Sequence, residues 1–195
     1  MTRAAAVVFL AVAGCRIEPA PGAPPREGTG VDTITVFRTE PEAVPVPSGP
    51  VEMSPTGLAI PVAGVRGESL VDTFDDARSE GRVHDAIDIP APRGTPVVAA
   101  AAGTLARVFE SERGGLTVYV TSGRTVFYYA HLDAVEPGLA AGQAVARGQA
   151  LGTVGSTGNA SPDAPHLHFA VWRAASAERF WEGEALNPYP LLGGR

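Results

Sequence analysis

A chain of 195 residues with a net charge of −6 is long enough for one domain with a real core plus an appendage. The acidic balance and the lack of any basic run exclude nucleic-acid binding through a phosphate-neutralising patch. All 15 basic residues are arginine, which excludes Schiff-base chemistry, a phosphate-loop lysine, and lipoyl or biotinyl attachment.

The first element is the leader "MTRAAAVVFLAVAGC". Arg3 supplies a positive start, and residues 4–13 form an apolar stretch too short to span a bilayer comfortably. This is the layout of an export signal, assigned to residues 1–14. Cys15 is the only cysteine, and "VAGC" resembles a bacterial lipobox, in which the cysteine becomes the lipidated first residue. The other reading is a plain signal peptide with an incidental cysteine. Both send the protein to the cell envelope or periplasm, and the lipobox reading adds an N-terminal lipid anchor as its one contact with the membrane. Residues 15–53 contain "RIEPAPGAPPREGTG" and "TEPEAVPVPSGP", a Pro-rich, disordered tether. Within it, residues 31–38 alternate well enough for a short strand.

From Ser54 to residue 192 the character changes to that of a folded domain. Short runs rich in Val, Thr, Tyr and Phe are separated by glycine: "TPVVAAAAGTLARVFE", "LTVYVTSG", "TVFYYAHL", "QAVARGQALGTVG", "HLHFAVW". Such spacing predicts an all-β domain, a compact antiparallel β-sandwich. Residues 174–184 are expected to form one short helix.

The chain has four histidines, and two of them flank a leucine in "PHLHFAVW". Side chains two apart on a strand share a face, so His166 and His168 project together while Leu167 and Phe169 enter the core. "HDAID" adds His84 and Asp88, two good zinc ligands. In "FYYAHLD", alternation groups Tyr128, Ala130 and Leu132 on one face and Tyr129, His131 and Asp133 on the other. Spacing alone does not bring His131 to the other histidines. The glycines of residues 142–159 are turns and close packing positions. No lysine follows them, so they make no phosphate loop. "GSTGNASPDAP" is expected to border a substrate groove, with Asp133 and Asp163 as exposed loop carboxylates.

In order, "HDAIDIPAPRGTPVVAAAAGTL", "YYAHLD", "GQAVARGQALGTVGSTGN" and "PHLHF" resemble the lysostaphin-type, LytM-like zinc metallopeptidases that cut peptidoglycan peptides. The resemblance runs from about residue 58 to 172. It implies a β-sandwich with a duplicated barrel-sandwich hybrid motif and a site in a groove between loops. It assigns Zn2+ to His84, Asp88 and His168, and catalytic roles to His166 and its partner His131. Ala86 stands where the family often has glycine. The implied partners are peptidoglycan peptides, the D-Ala–diaminopimelate cross-link first and a Gly–Gly bond as the alternative. A monomer suffices, since one chain carries a full site. The competing expectation is a non-catalytic envelope module that binds peptidoglycan or activates a cell-wall amidase; the complete set of site residues argues against it.

Overall fold

The computed structural model describes residues 49–78 and 81–194. The signal peptide, Cys15 and the expected strand at 31–38 lie outside the described residues. Among the described residues no helix is long and apolar enough to cross a membrane.

The described chain is nearly all antiparallel sheet. Its strands are β1 Ile87–Pro90, β2 Pro96–Val98, β3 Gly103–Ser111, β4 Gly115–Ser122, β5 Thr125–Val135, β6 Ala144–Val145, β7 Ala150–Val154, β8 His166–Ala174 and β9 Gly183–Leu186. They follow the glycine-punctuated runs, because β-branched and aromatic residues favour a pleated, half-buried surface. In β4, for example, Val118 and Val120 are buried while Tyr119 between them faces the other side.

β8 is the hub of the sheet. One of its edges takes β1 against its first half and β9 against its second. The other edge takes β5, and the sheet continues through β4 and β3 to β6. Beyond residue 131, β5 leaves β8 and pairs with β7, which in turn pairs with β2. The core lies under this bend: Ile87, Leu105, Tyr129, Leu132, Leu151, Leu167 and Phe169 are all fully buried. The Tyr129 hydroxyl reaches a partner inside the core by accepting the Ala100 N–H at 2.9 Å.

The helix expected over 174–184 does not form. β8 ends at Ala174, the chain turns, and Gly183–Leu186 pairs back onto β8 as β9. Ala175 N–H donates to the Glu182 carbonyl, and the Trp172 indole N–H donates to the Phe180 carbonyl at 2.6 Å. Pairing the open edge of β8 satisfies more backbone than an isolated short helix would. The α-helix among the described residues is α1, Pro188–Leu191, capped by Asn187 Oδ1 accepting the Tyr189 N–H at 2.8 Å. The folded part also starts before Ser54. The carbonyl of Pro50 accepts from Gly64 N–H, that of Glu52 from Ile60 N–H, and Glu52 Oε1 from Gly67 N–H.

Candidate metal centre and its groove

Strand register builds the centre. His168 sits directly opposite Asp88 on β1 and opposite Ala130 on β5. Residues facing across an antiparallel pair have Cβ atoms about 5 Å apart, so carboxylate and imidazole must meet. Leu167 and Phe169 are fully buried on the opposite face, as the alternation in "HLHF" requires.

His84 arrives from the segment just before β1. Its amide donates to Asp76 O, and Asp85, at φ 56°, turns the chain sharply into the strand. A non-glycine residue in this left-handed region is strained, and such strain is tolerated where the surroundings fix it. Thr73 supports both ligands: its carbonyl accepts from His84 Nδ1 at 2.8 Å, and its hydroxyl accepts the Asp88 N–H at 3.1 Å.

His84 Nε2, His168 Nδ1 and Asp88 Oδ1 form a triangle with sides of 3.0 Å. Adjacent ligand atoms on a tetrahedral zinc with bonds near 2.0 Å are about 3.3 Å apart, so the triangle fits such an ion closely. The chemistry of the donors fits as well. A carbonyl only accepts, so the neutral His84 ring keeps its proton on Nδ1 and points the Nε2 lone pair inward. Burial alone would push the Asp88 carboxyl up, but its contacts with His168 and His84 outweigh it and hold the pKa far below the usual range. Burial pushes His168 down, against the pull of Asp88. A carboxylate converging with two imidazole nitrogens is a set that binds a divalent cation.

The other two histidines stand beside this triangle. His166 Nδ1 donates to the Ala164 carbonyl at 2.8 Å, and its Nε2 lies 3.8 Å from Asp88 Oδ1, beyond bonding distance. His131 Nδ1 donates to the Thr157 carbonyl at 2.8 Å. Its ring centroid lies 5.0 Å from that of His166 and 5.5 Å from that of His168. Burial pushes the His131 pKa down to about 4, so the ring is neutral at neutral pH with its lone pair on Nε2.

His131 reaches the groove through a β-bulge, and here the alternation breaks. Leu116 faces Leu132 and Val118 faces Tyr129, so Ala130 and His131 together oppose Thr117. His131 takes φ 61° and donates its amide to Gly114 O at 2.8 Å. The faces expected from strict alternation are therefore exchanged beyond residue 130. His131 joins Tyr128 in the groove, and Leu132 joins Tyr129 in the core. Bulges beside active sites re-aim side chains in this way. Two glycines admit the bulge. A Cβ on Gly155 would collide with the His131 and Asp133 backbone, and one on Gly158, at φ 72°, with Gly115 and Arg113.

The groove has a volume of about 380 Å³ and brings His84, Asp88, His131, His166 and His168 to one surface. Loop residues Asn159, Ala160 and Ser161 border it, as expected of "GSTGNASPDAP". Asp133 lies outside it, paired with Arg93, and Asp163 is exposed. Sequence reasoning missed two contributors, Thr73 and Arg78. Arg78 Nη2 donates to Asp88 Oδ2 at 2.6 Å. Its reach depends on the bridge between Ala77 and Val83, which no spacing in the sequence announces.

The family model of peptidase family M23 matches residues 82–188. The chain is 33% identical over 132 residues to the L-Ala–D-Glu endopeptidase of Bacillus subtilis, a match covering 64% of this chain and 39% of that protein. It is 41% identical over 110 residues to the DD-carboxypeptidase/endopeptidase Mpg of Neisseria meningitidis, covering 55% of this chain and 22% of that protein. The chain thus spans well under half of either relative. Among solved structures, lysostaphin from Staphylococcus simulans superposes with a TM-score of 0.53 at 26% identity, over 65% of this chain and 50% of that one. With the matched segment holding His84, Asp88, His131, His166 and His168 and covering more than half its length, the chain belongs to peptidase family M23.

Proposed function

We propose that this chain is an exported, zinc-dependent endopeptidase that hydrolyses peptide cross-links of bacterial peptidoglycan. The observation that carries this is the His84–Asp88–His168 donor triangle set beside two further imidazoles in one groove. His84, Asp88 and His168 are the ligands, with His168 rather than His166 holding the ion in "HLH". Zinc bound there supplies Lewis acidity and water with a pKa of about 7.

The proton work falls to His131 and His166. Each ring is held through Nδ1 by a backbone carbonyl, which fixes the tautomer and leaves Nε2 to act. Either ring can take the proton of the attacking water on Nε2 and, once protonated, give that proton to the leaving amine. Help of this kind is worth roughly 10²–10⁴ in rate. A peptidoglycan peptide as substrate is supported by the relatives, which are named for L-Ala–D-Glu and DD-endopeptidase activity. We take the D-Ala–diaminopimelate cross-link as the bond cut. The leader and the Pro-rich tether support an envelope location, with Cys15 as the lipid anchor in this reading.

The test is digestion of cross-linked peptidoglycan with the zinc-loaded protein, followed by mass spectrometry of the released muropeptides. Release of uncross-linked peptides that stops with a chelator and returns with zinc is expected. Bound zinc without any released peptide overturns the enzyme and favours a peptidoglycan-binding module.

A further inference from the structure

Thr157 lies in the loop between β7 and β8, and its backbone carbonyl accepts from His131 Nδ1 at 2.8 Å. Its side chain does separate work. Oγ1 accepts the Leu116 N–H at 3.0 Å and donates to the Leu132 carbonyl at 2.8 Å. Leu116 on β4 and Leu132 on β5 face each other at the edge of the bulge that carries His131. A bulge disrupts the ladder locally, and backbone groups beside it need other partners. One hydroxyl thus bridges both strands at the irregular point and fastens the loop to them. The surroundings are cleared for this contact. Gly115 takes φ 60°, and a Cβ there would collide with Thr157 Oγ1 and with the Thr157 carbonyl carbon. The Arg113 carbonyl, in the same turn between β3 and β4, accepts the Asn159 N–H at 3.1 Å. Turn, bulge and loop therefore interlock around one threonine.

We infer that Thr157 is a positioning residue: its hydroxyl pins the loop whose carbonyl fixes the tautomer and aim of the His131 ring. This rests on the peptidase reading, in which His131 is one of the two rings that handle protons. The ring is oriented from two sides. Its own backbone is set by the bulge, and its Nδ1 proton is set by a carbonyl on a loop. A loop carbonyl holds an imidazole only as firmly as the loop is held, and loops move more than the strands they join. The hydroxyl removes that freedom by tying Thr157 to the strand that carries His131 and to its neighbour. Serine at this position keeps both hydrogen bonds and loses a methyl. Valine keeps the shape, loses both bonds, and leaves the Leu116 N–H and the Leu132 carbonyl without this partner.

The experiment compares Thr157→Val and Thr157→Ser with the unaltered protein, each as the full zinc-loaded chain. Imidazole 15N shifts report the His131 tautomer, and kcat and KM are measured separately on a synthetic cross-linked peptide. The unaltered protein and Thr157→Ser should show His131 protonated on Nδ1 alone. Thr157→Val should show both tautomers, keep its zinc and its KM, and lose kcat by about tenfold or more. A merely structural threonine would not split kcat from KM or shift the tautomer. Should the valine protein fail to fold, Thr157→Ala carries the same comparison with less bulk beside Gly115. A hydroxyl-free variant that keeps both kcat and the Nδ1 tautomer overturns the inference, as does a Thr157→Ser protein as impaired as Thr157→Val. If the unaltered zinc-loaded protein cleaves no peptide, the peptidase reading fails, and the tautomer comparison alone still decides whether Thr157 positions the ring.

Discussion

Arg78 places a guanidinium against Asp88 Oδ2 at 2.6 Å, leaving Oδ1 as the oxygen that faces the two imidazoles. Partners behind a ligand fix its orientation, and their loss typically weakens metal affinity by about 10–100-fold. Arg78→Ala should therefore weaken zinc binding by about that factor in competition with a chromophoric chelator, and Arg78→Lys should recover part of it. An unchanged affinity in Arg78→Ala would remove Arg78 from the centre. The donor cluster was legible, since "HLHF" declares its alternation and "HDAID" supplies the matching donors. Thr73 and Arg78 were not. Their contacts arise from a segment folded back on itself, and neither residue type is rare enough to stand out.

At the element scale the decisive feature is the bulge in β5. It lets a strand whose Tyr129 is in the core deliver His131 to the groove two residues later. Strict period-two reasoning fails there because one residue in the left-handed region resets the alternation. The bulge packs on Gly155, whose carbonyl also accepts the His166 amide at 3.1 Å. Gly155→Ala forces a methyl into the His131 backbone, and destabilisation of about 1–3 kcal/mol is expected. Thermal unfolding should show the loss, and peptide release should fall further than zinc content. Unaltered unfolding would mean the contact is relieved without strain. The glycine pattern of 142–159 was readable as packing, but which backbone each glycine admits was not. The short helix over 174–184 was misplaced for a related reason, because the open edge of β8 that draws in β9 is a tertiary fact.

For the molecule as a whole, most of the fold was visible in the sequence, since every glycine-bounded run yielded one strand or two, though β1 and β9 came from none of them. The order of those strands was not, because β8 gathers partners from positions 87–90, 125–130 and 183–186. One core holds this sheet together. Phe169, fully buried and with its ring centroid 5.3 Å from that of Tyr129, anchors the face opposite the ligands. Phe169→Ala should cost about 3–5 kcal/mol in denaturant unfolding, and a loss under 1 kcal/mol would contradict its place in the core. The start of the domain is a second whole-molecule feature. Hydrogen bonds accepted by Pro50 and Glu52 attach a segment whose proline-rich composition reads as tether. A chain beginning at residue 49 should therefore be more stable than one beginning at 54, by on the order of 1–3 kcal/mol. Equal denaturation midpoints would show that these contacts add nothing.

The central claim divides the two histidines of "HLH" between holding the ion and moving the proton. Zinc content and peptide release, measured on the same preparations of His168→Ala and His166→Ala, test it most directly. His168→Ala should lose both. His166→Ala should keep about one zinc per chain while its release rate falls by roughly 10² or more. A His166→Ala protein that loses its zinc, or that releases peptides at the unaltered rate, would contradict the assignment.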